Sequence, residues 1–478
     1  MERKARIVAT IGPSSQDRAI LRRMIQTGMN VARLNFSHGT YESHGQNILL
    51  IRELAREIGK PVAILQDLQG PKIRIGEIPN GGLEIHPGDI LNIDFTNSPT
   101  PGSGAQFNIP FPGLQQRLHP GGKVLLDDGN IEFLIRTITS TGVTVEVTLG
   151  GNLTSHKGFN LPGVDPGVPA FTEKDKDDLH FGLDNQVDLI AISFVRTASE
   201  VLEVREEVVR YAPDQASIPI IAKLERPEAL DNLEEILEAA DGVMVARGDL
   251  GVEMSPASVP IAQKKIIRAA NYHSKPVITA TQMLDSMIHN PRPTRAEATD
   301  VANAIFDGTD AVMLSGETAS GKYPLESIAM MDSIVREAEE NYHEWSQCDD
   351  SPDVDTSEDA VAMTRAAKEL AHDRNVSAIA VFTHSGRTAL LMSKVRPQVA
   401  ILAFTPTPSA YQKMALYWGV KPYLVPYVTT VESMIQTVDE VMLTALPIQV
   451  GQQVVVISGF PIAHKGKPNL ALLHTIGE

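Results

Sequence analysis

The stretch IPIIAKLERPEAL, residues 218–230, sets the terms for the whole chain. It begins as a run of branched apolar residues, as a strand covered on both faces should. It then places Lys223 and Glu225 two residues apart. In a strand, residues i and i+2 share a face, so these two charges project together while Ala222 and Leu224 project the other way. A buried strand is an expensive place for two charges. Either they pair only with each other or they hold something between them.

Runs of the same kind recur on both sides of this one, with helical spacers between them. They cover residues 6–11, 30–36, 62–67, 187–195, 219–225, 242–249, 276–282 and 311–317. REEVVRYA and IAQKKIIRAANYH read as amphipathic helices, and TRAE at 294–297 fits a capping box with Thr294 as N-cap and Glu297 at N3. Eight strand–helix units in succession predict an α/β fold, a (β/α)8 TIM barrel, over a doubly wound open sheet. Residues 71–168 break the pattern, being rich in Gly and Pro with alternating segments such as GLEIHPGDILNIDF. They predict a small all-β lid domain, a β-barrel, inserted after the third strand on the side where barrel sites lie. After the acidic linker EWSQCDDSPDVDTSED, the runs SAIAVFT, VAILAFT, VKPYLVP and QVVVISG predict a C-terminal α/β domain with an open sheet. The division expected is 1–70 with 169–340, 71–168, and 341–478.

The 478 residues carry a net charge of −17, which argues against a nucleic-acid binder. A polyanionic substrate must therefore meet a local cluster of Lys, Arg or metal. The single cysteine, Cys348, excludes an internal disulfide framework and suits a reducing cytoplasm. No signal peptide or membrane span is expected.

In barrels, catalytic groups sit where strands finish. The run ends here carry Arg33, Asn35, Ser37 and His38; Asp67, Lys72 and Arg74; Ser193 and Arg196; Lys223 and Glu225; Gly248 and Asp249; Thr279, Thr281 and Gln282; and Ser315 and Glu317. Glu225 and Asp249, from neighbouring strands, make a hard oxygen site of the kind Mg²⁺ takes. Arg33, Arg74 and Lys223 would surround it with positive charge, the clamp that phosphoryl transfer needs. The RGDLG turn offers backbone N–H groups to an anion. THSGRTALLM opens a helix whose N-terminus suits phosphate, or is simply capped. Taken singly, Lys223–Glu225 reads as a structural ion pair, His38 as a loop histidine and Arg196 or Glu317 as rim salt bridges. Their co-location at successive strand ends outweighs those readings.

The segments ARIVATIGPSS, MNVARLNFSHG, GPKIRIG, HKGFNLPG, IIAKLERPEAL, VMVARGDLGVE, ATQMLDSM, PTRAEATDVANAIFDGTDAVMLSGETASGKYP and THSGRTA, in this order, resemble the pyruvate kinase family over nearly the whole chain. The resemblance implies transfer of a phosphoryl group from phosphoenolpyruvate to ADP in glycolysis, giving pyruvate and ATP. It implies Glu225 and Asp249 as ligands of Mg²⁺ or Mn²⁺, Lys223 and Arg33 on the transferring phosphate with Ser193 nearby, and Gly248, Asp249 and Thr281 around the substrate carboxylate. Thr281 and Ser315 would flank proton delivery. Asn35, His38, Arg74 and the lid's Lys157 would face the nucleotide, and Asp128 would swing in on closure. Asn35, Ser37, Asp67 and the Leu68 carbonyl match a K⁺ site. Lys72, standing where K⁺-dependent members carry Glu, implies that K⁺ is not required. A phosphorylated allosteric effector is expected at Thr383, Ser385, Arg387 and Thr388, with Lys465 and Lys467 opposite, in a homotetramer. Competing readings are a metal-dependent phosphoenolpyruvate or oxaloacetate lyase or mutase, and an inactive effector-binding homologue.

Overall fold

The computed structural model describes residues 3–78, 81–97, 106–342, 358–445, 447–462 and 466–478; Cys348 lies outside them. The chain opens with β1 (Arg6–Thr10), β2 (Val31–Asn35) and β3 (Ala63–Asp67). An insertion follows with β4 (Leu83–Ile85), β5 (Ile90–Asp94), β6 (Gln106–Asn108), β7 (Lys123–Leu126), β8 (Ile131–Ile138), β9 (Gly142–Leu149), β10 (Gly151–Leu153) and β11 (Phe159–Asn160). It continues through β12 (Leu189–Ile192), β13 (Ile220–Leu224), β14 (Gly242–Ala246), β15 (Val277–Ala280) and β16 (Ala311–Leu314). Strands β1–β3 and β12–β16 close into a parallel barrel, β1 pairing with both β2 and β16.

The barrel follows from strand periodicity. Val8, Val31, Leu65, Ala191, Ile221, Met244, Ile278 and Met313 point inward and pack into a dry plug. Their neighbours Ile7, Ala32, Ile64, Ile190, Ala222, Val243, Val277 and Val312 face the helices. Two residues further along the inward register stand Thr10, Arg33, Asp67, Ser193, Lys223 and Ser315. The interior is thus apolar below and polar at its C-terminal mouth. The expected capping box forms, with Thr294 and Glu297 bonding each other's backbone. The runs end earlier than the sequence indicates. The residues after Ala246 and Leu314 turn at once into the short helices Arg247–Glu253 and Gly316–Ala319, so RGDLG is a first helical turn and not a loop.

Among the described residues, the insertion forms a six-stranded sheet and a two-stranded ribbon (β4 with β10) rather than one closed β-barrel. Register irregularities in the β8–β9 pairing fit a sheet bent around Phe95, Phe107, Phe133 and Phe159. The C-terminal unit has β17 (Ala378–Phe382), β18 (Ala400–Thr405), β19 (Val420–Leu424), β20 (Gln453–Ser458) and β21 (Leu470–Thr475) in the order β19-β18-β17-β20-β21. The antiparallel edge strand β21 was not apparent from sequence. This unit is bolted to the barrel's N-terminal end. Asp310, just before β16, is buried between Lys394 and Arg396, and Arg6 of β1 donates to the Tyr417 carbonyl at 2.7 Å. No described helix is long and apolar enough to cross a membrane.

Candidate active site

The polar residues at the barrel mouth form one buried network. Arg33 Nε meets Asp67 Oδ2 at 2.6 Å, and its Nη1 donates to Thr10 Oγ1 at 3.0 Å. Lys223 Nζ lies 3.2 Å from Asp67 Oδ1 and 2.9 Å from Glu225 Oε1, and donates to Ser193 Oγ at 2.6 Å. Ser193 Oγ in turn donates to the Leu68 carbonyl at 2.7 Å, and the Phe194 N–H donates to Glu225 Oε2 at 2.7 Å. Burial alone would raise the Asp67 carboxyl, but Lys223 and Arg33 more than reverse it and hold it below its ordinary value. Burial opposes the Lys223 ammonium too, yet Asp67 and Glu225 hold its pKa above the ordinary lysine value.

Glu225 goes the other way. Burial pushes its carboxyl up, and the negative charges of Asp249 and Asp67 add to the effect against the pull of Lys223. A carboxylate with unbalanced negative neighbours gains from a divalent cation. Among the described residues, no cluster of three or more His, Cys, Asp or Glu is placed to hold a metal alone. Two hard oxygen donors with open positions suit an ion that keeps water or substrate oxygens, such as Mg²⁺ or Mn²⁺. Asp249 is partly exposed, and the Lys72 ammonium approaches its Oδ1 to 3.9 Å.

Thr281 follows β15 in a left-handed conformation (φ 66°), as does Gln282 (φ 54°). That is costly for a β-branched residue. Arg247 holds it there, donating to the Thr281 carbonyl at 2.8 Å while paired with Asp300 at 2.6 Å. The Thr281 hydroxyl consequently reaches the Gly248 N–H at 2.8 Å. The Ser315 hydroxyl is buried with no hydrogen-bond partner among the described residues.

Other expected residues are spread more widely. Asn35 caps its own turn by accepting from the Ser37 N–H at 3.1 Å. With Asp67 paired and the Leu68 carbonyl taken by Ser193, three of the four expected K⁺ ligands already have protein partners. His38 is exposed, and its carbonyl lies 2.9 Å from His44 Nε2. Partial burial, then the charges of Arg74, Lys72 and Arg33, lower its pKa. Arg74 stands in the neck of the insertion, donating to the His156 carbonyl at 3.1 Å, rather than against Glu225 or Asp249. Lys157 is turned to Asp127 at 2.6 Å. Asp128 lies in the turn Asp127–Gly129, but its side chain is outside the described set, as is Lys465.

In the C-terminal unit, Thr383, Ser385, Arg387, Thr388 and Lys467 line one cavity of about 380 Å³. Arg387 is paired there with Glu358 at 3.0 Å.

Sequence reasoning missed Thr10 and Arg247. The first was available from the period of two that begins at Val8. The second stands beside Gly248, but its role depends on a carbonyl more than thirty residues away.

A barrel whose mouth gathers Lys, Arg and paired carboxylates under a β insertion has the charged groups that a phosphotransferase of the barrel type needs. Residues 2–328 match the pyruvate kinase barrel domain and residues 360–474 the pyruvate kinase alpha/beta domain. The chain is 44% identical over 484 residues to pyruvate kinase of Geobacillus stearothermophilus, covering all of this chain and 81% of that protein. It is 42% identical over 477 residues to pyruvate kinase of Clostridium perfringens (99% and 100% covered), and 46% over 429 residues to pyruvate kinase 2 of Synechocystis (89% and 71%). The chain belongs to the pyruvate kinase family.

Proposed function

We propose that this enzyme moves the phosphoryl group of phosphoenolpyruvate to ADP, as a step of glycolysis, without needing K⁺. The observation that carries the reading is the buried set Arg33–Asp67–Lys223–Glu225 facing Asp249 at the barrel mouth. Lys223, fixed by two carboxylates and Ser193, presents a preorganised positive charge to the transferring phosphoryl group. Arg33, aimed by Asp67 and Thr10, takes the same phosphate. Glu225 and Asp249 would hold Mg²⁺ or Mn²⁺, which when bound neutralises phosphoryl and carboxylate oxygens. The first turn of Arg247–Glu253 would give the substrate carboxylate the Gly248 and Asp249 N–H groups, with the Thr281 hydroxyl, once the carboxylate displaces the bond between the Gly248 N–H and that hydroxyl. Thr281 and Ser315 flank the carbon that must be protonated once the phosphoryl group has left.

Arg74, His38, Asn35 and Lys157 would receive the nucleotide, Lys157 leaving Asp127 as the lid closes with Asp128. Support for K⁺ independence comes from the protein partners that Asn35, Asp67 and the Leu68 carbonyl already have and from the Lys72 ammonium beside Asp249. The cavity at Thr383–Thr388 would take a phosphorylated effector, and the assembly is proposed as a homotetramer. The test is pyruvate release from phosphoenolpyruvate with Mg²⁺, with and without ADP. Strict ADP dependence is expected. ADP-independent breakdown supports the lyase reading, and no turnover supports an inactive homologue.

A further inference from the structure

Glu253 has no part in the chemistry above, yet its side chain is completely buried. It closes the short helix Arg247–Glu253, whose first turn carries Gly248 and Asp249. A buried carboxylate requires partners, and Glu253 has two from different parts of the molecule. Asn160 Nδ2, on β11, donates to its Oε1 at 3.0 Å. Arg226 Nη1, the neighbour of Glu225, donates to its Oε2 at 3.3 Å. The Arg226 guanidinium also lies 5.9 Å from the centre of the Phe194 ring, and the Phe194 N–H, with Lys223, holds Glu225.

Strand β11 belongs to the return arm of the insertion. It is bonded to the outgoing arm, Phe159 N–H to the Ile73 carbonyl and Ile75 N–H to the Lys157 carbonyl, each at 3.0 Å. The same helix packs against the lid turn Asp127–Gly129. An ion pair with Arg226 alone would satisfy Glu253 as a structural group. The Asn160 bond is different, because it crosses the neck that must flex whenever the lid moves, and a charge-assisted hydrogen bond is demanding in geometry.

We propose that Glu253 is a positioning residue that joins the neck of the lid to both turns carrying the metal-binding carboxylates. The orientation of Glu225 and Asp249 and the seating of the lid are then one coupled movement. The proposal rests on the function given above for Glu225 and Asp249.

Two variants separate the arms of the link. Asn160→Ala leaves the Glu253–Arg226 pair and hence the fold. Its amide exchange in residues 71–75 and 157–161 should quicken about tenfold without ligand, and its Mn²⁺ dissociation constant should rise severalfold, the scale of one lost hydrogen bond to a charged group. Glu253→Gln keeps an acceptor for Asn160 but drops the pairing with Arg226. Its neck should exchange within about twofold of wild type while Mn²⁺ binding weakens about tenfold. Wild-type exchange and Mn²⁺ affinity in Asn160→Ala would overturn the proposal. So would wild-type Mn²⁺ affinity in Glu253→Gln, which decides the matter if the first variant fails to fold. Both readouts are made without turnover, so a wild-type protein that releases no pyruvate sinks the proposed function and leaves this link standing.

Discussion

At the scale of single residues, Lys223 carries the most weight. It is the cation shared by Asp67 and Glu225, and in the proposed function it meets the charge of the transferring phosphoryl group. Lys223→Ala is expected to lower kcat by on the order of 10²-fold or more. The loss also leaves two buried carboxylates short of a partner, so the melting temperature should fall with it. Pyruvate release and a thermal melt on the same sample check both. In the proposed function Lys72 would set the ion requirement. A K⁺ ion beside its ammonium would meet a Coulomb penalty of about 1–4 kcal/mol at close approach, depending on the effective dielectric. Mg²⁺-dependent turnover near its maximum is expected in tetramethylammonium buffer, with no gain from KCl at matched ionic strength. Lys72→Glu should create a K⁺ requirement. Many-fold K⁺ activation of the wild type would refute this reading. Arg33, Asp67 and Lys223 were legible because strand polarity and a period of two place them. Arg74 and Lys157 were not, because their side chains answer to the neck and the lid, which no strand register constrains.

At the scale of elements, two adjacent barrel helices, Glu173–Asp184 and Ala198–Tyr211, are tied by His180 against Glu207, with Arg210 on the same carboxylate. The Arg210 hydrogen bond first, then that of His180, holds the Glu207 carboxyl down at about 2. A depressed carboxyl contributes stability above its unfolded pKa, and that contribution is lost as pH falls from about 4.5 towards about 2. Glu207→Gln should therefore melt about one to two degrees below wild type at pH 7, on the scale of about 1 kcal/mol once solvent screening at Arg210 is allowed for. The gap should close on acidification. A gap independent of pH between 2 and 7 would contradict the assignment, as melting curves across that range will show. The barrel itself was readable from its apolar runs. The exact strand ends were not, since the runs read to Asp249 and Glu317 took in polar residues that the structure places in the helices Arg247–Glu253 and Gly316–Ala319. The edge strand β21 was hidden for a related reason. LALLHT takes its place from pairing with β20, a contact that its own sequence does not announce.

For the molecule as a whole, the cavity beside Arg387 and the barrel mouth lie on different units that are joined through Asp310 and Arg6. Lys394 ends the helix that Arg387 begins, and it is buried on Asp310 of the barrel. A phosphorylated metabolite entering the cavity must displace Glu358 from Arg387 or share that arginine with it. Titration of fructose bisphosphate, ribose phosphate, glucose phosphate and AMP should identify one that lowers the phosphoenolpyruvate concentration for half-maximal rate. At a hundredfold excess over its Kd, it should add about 2.7 kcal/mol of stability, visible as a rise in melting temperature. Arg387→Ala should abolish both effects. Silence from every phosphorylated metabolite, in rate and in melting, would count against the site. The dry plug inside the barrel has a further consequence, for traffic. Met414, Leu416 and Tyr417 extend the same apolar packing at the barrel's N-terminal end, so among the described residues the polar part of the interior lies at the C-terminal mouth. With the proposed function, substrates and products would pass through that mouth beneath the insertion, and a lid that closes there would make its opening rate a ceiling on turnover.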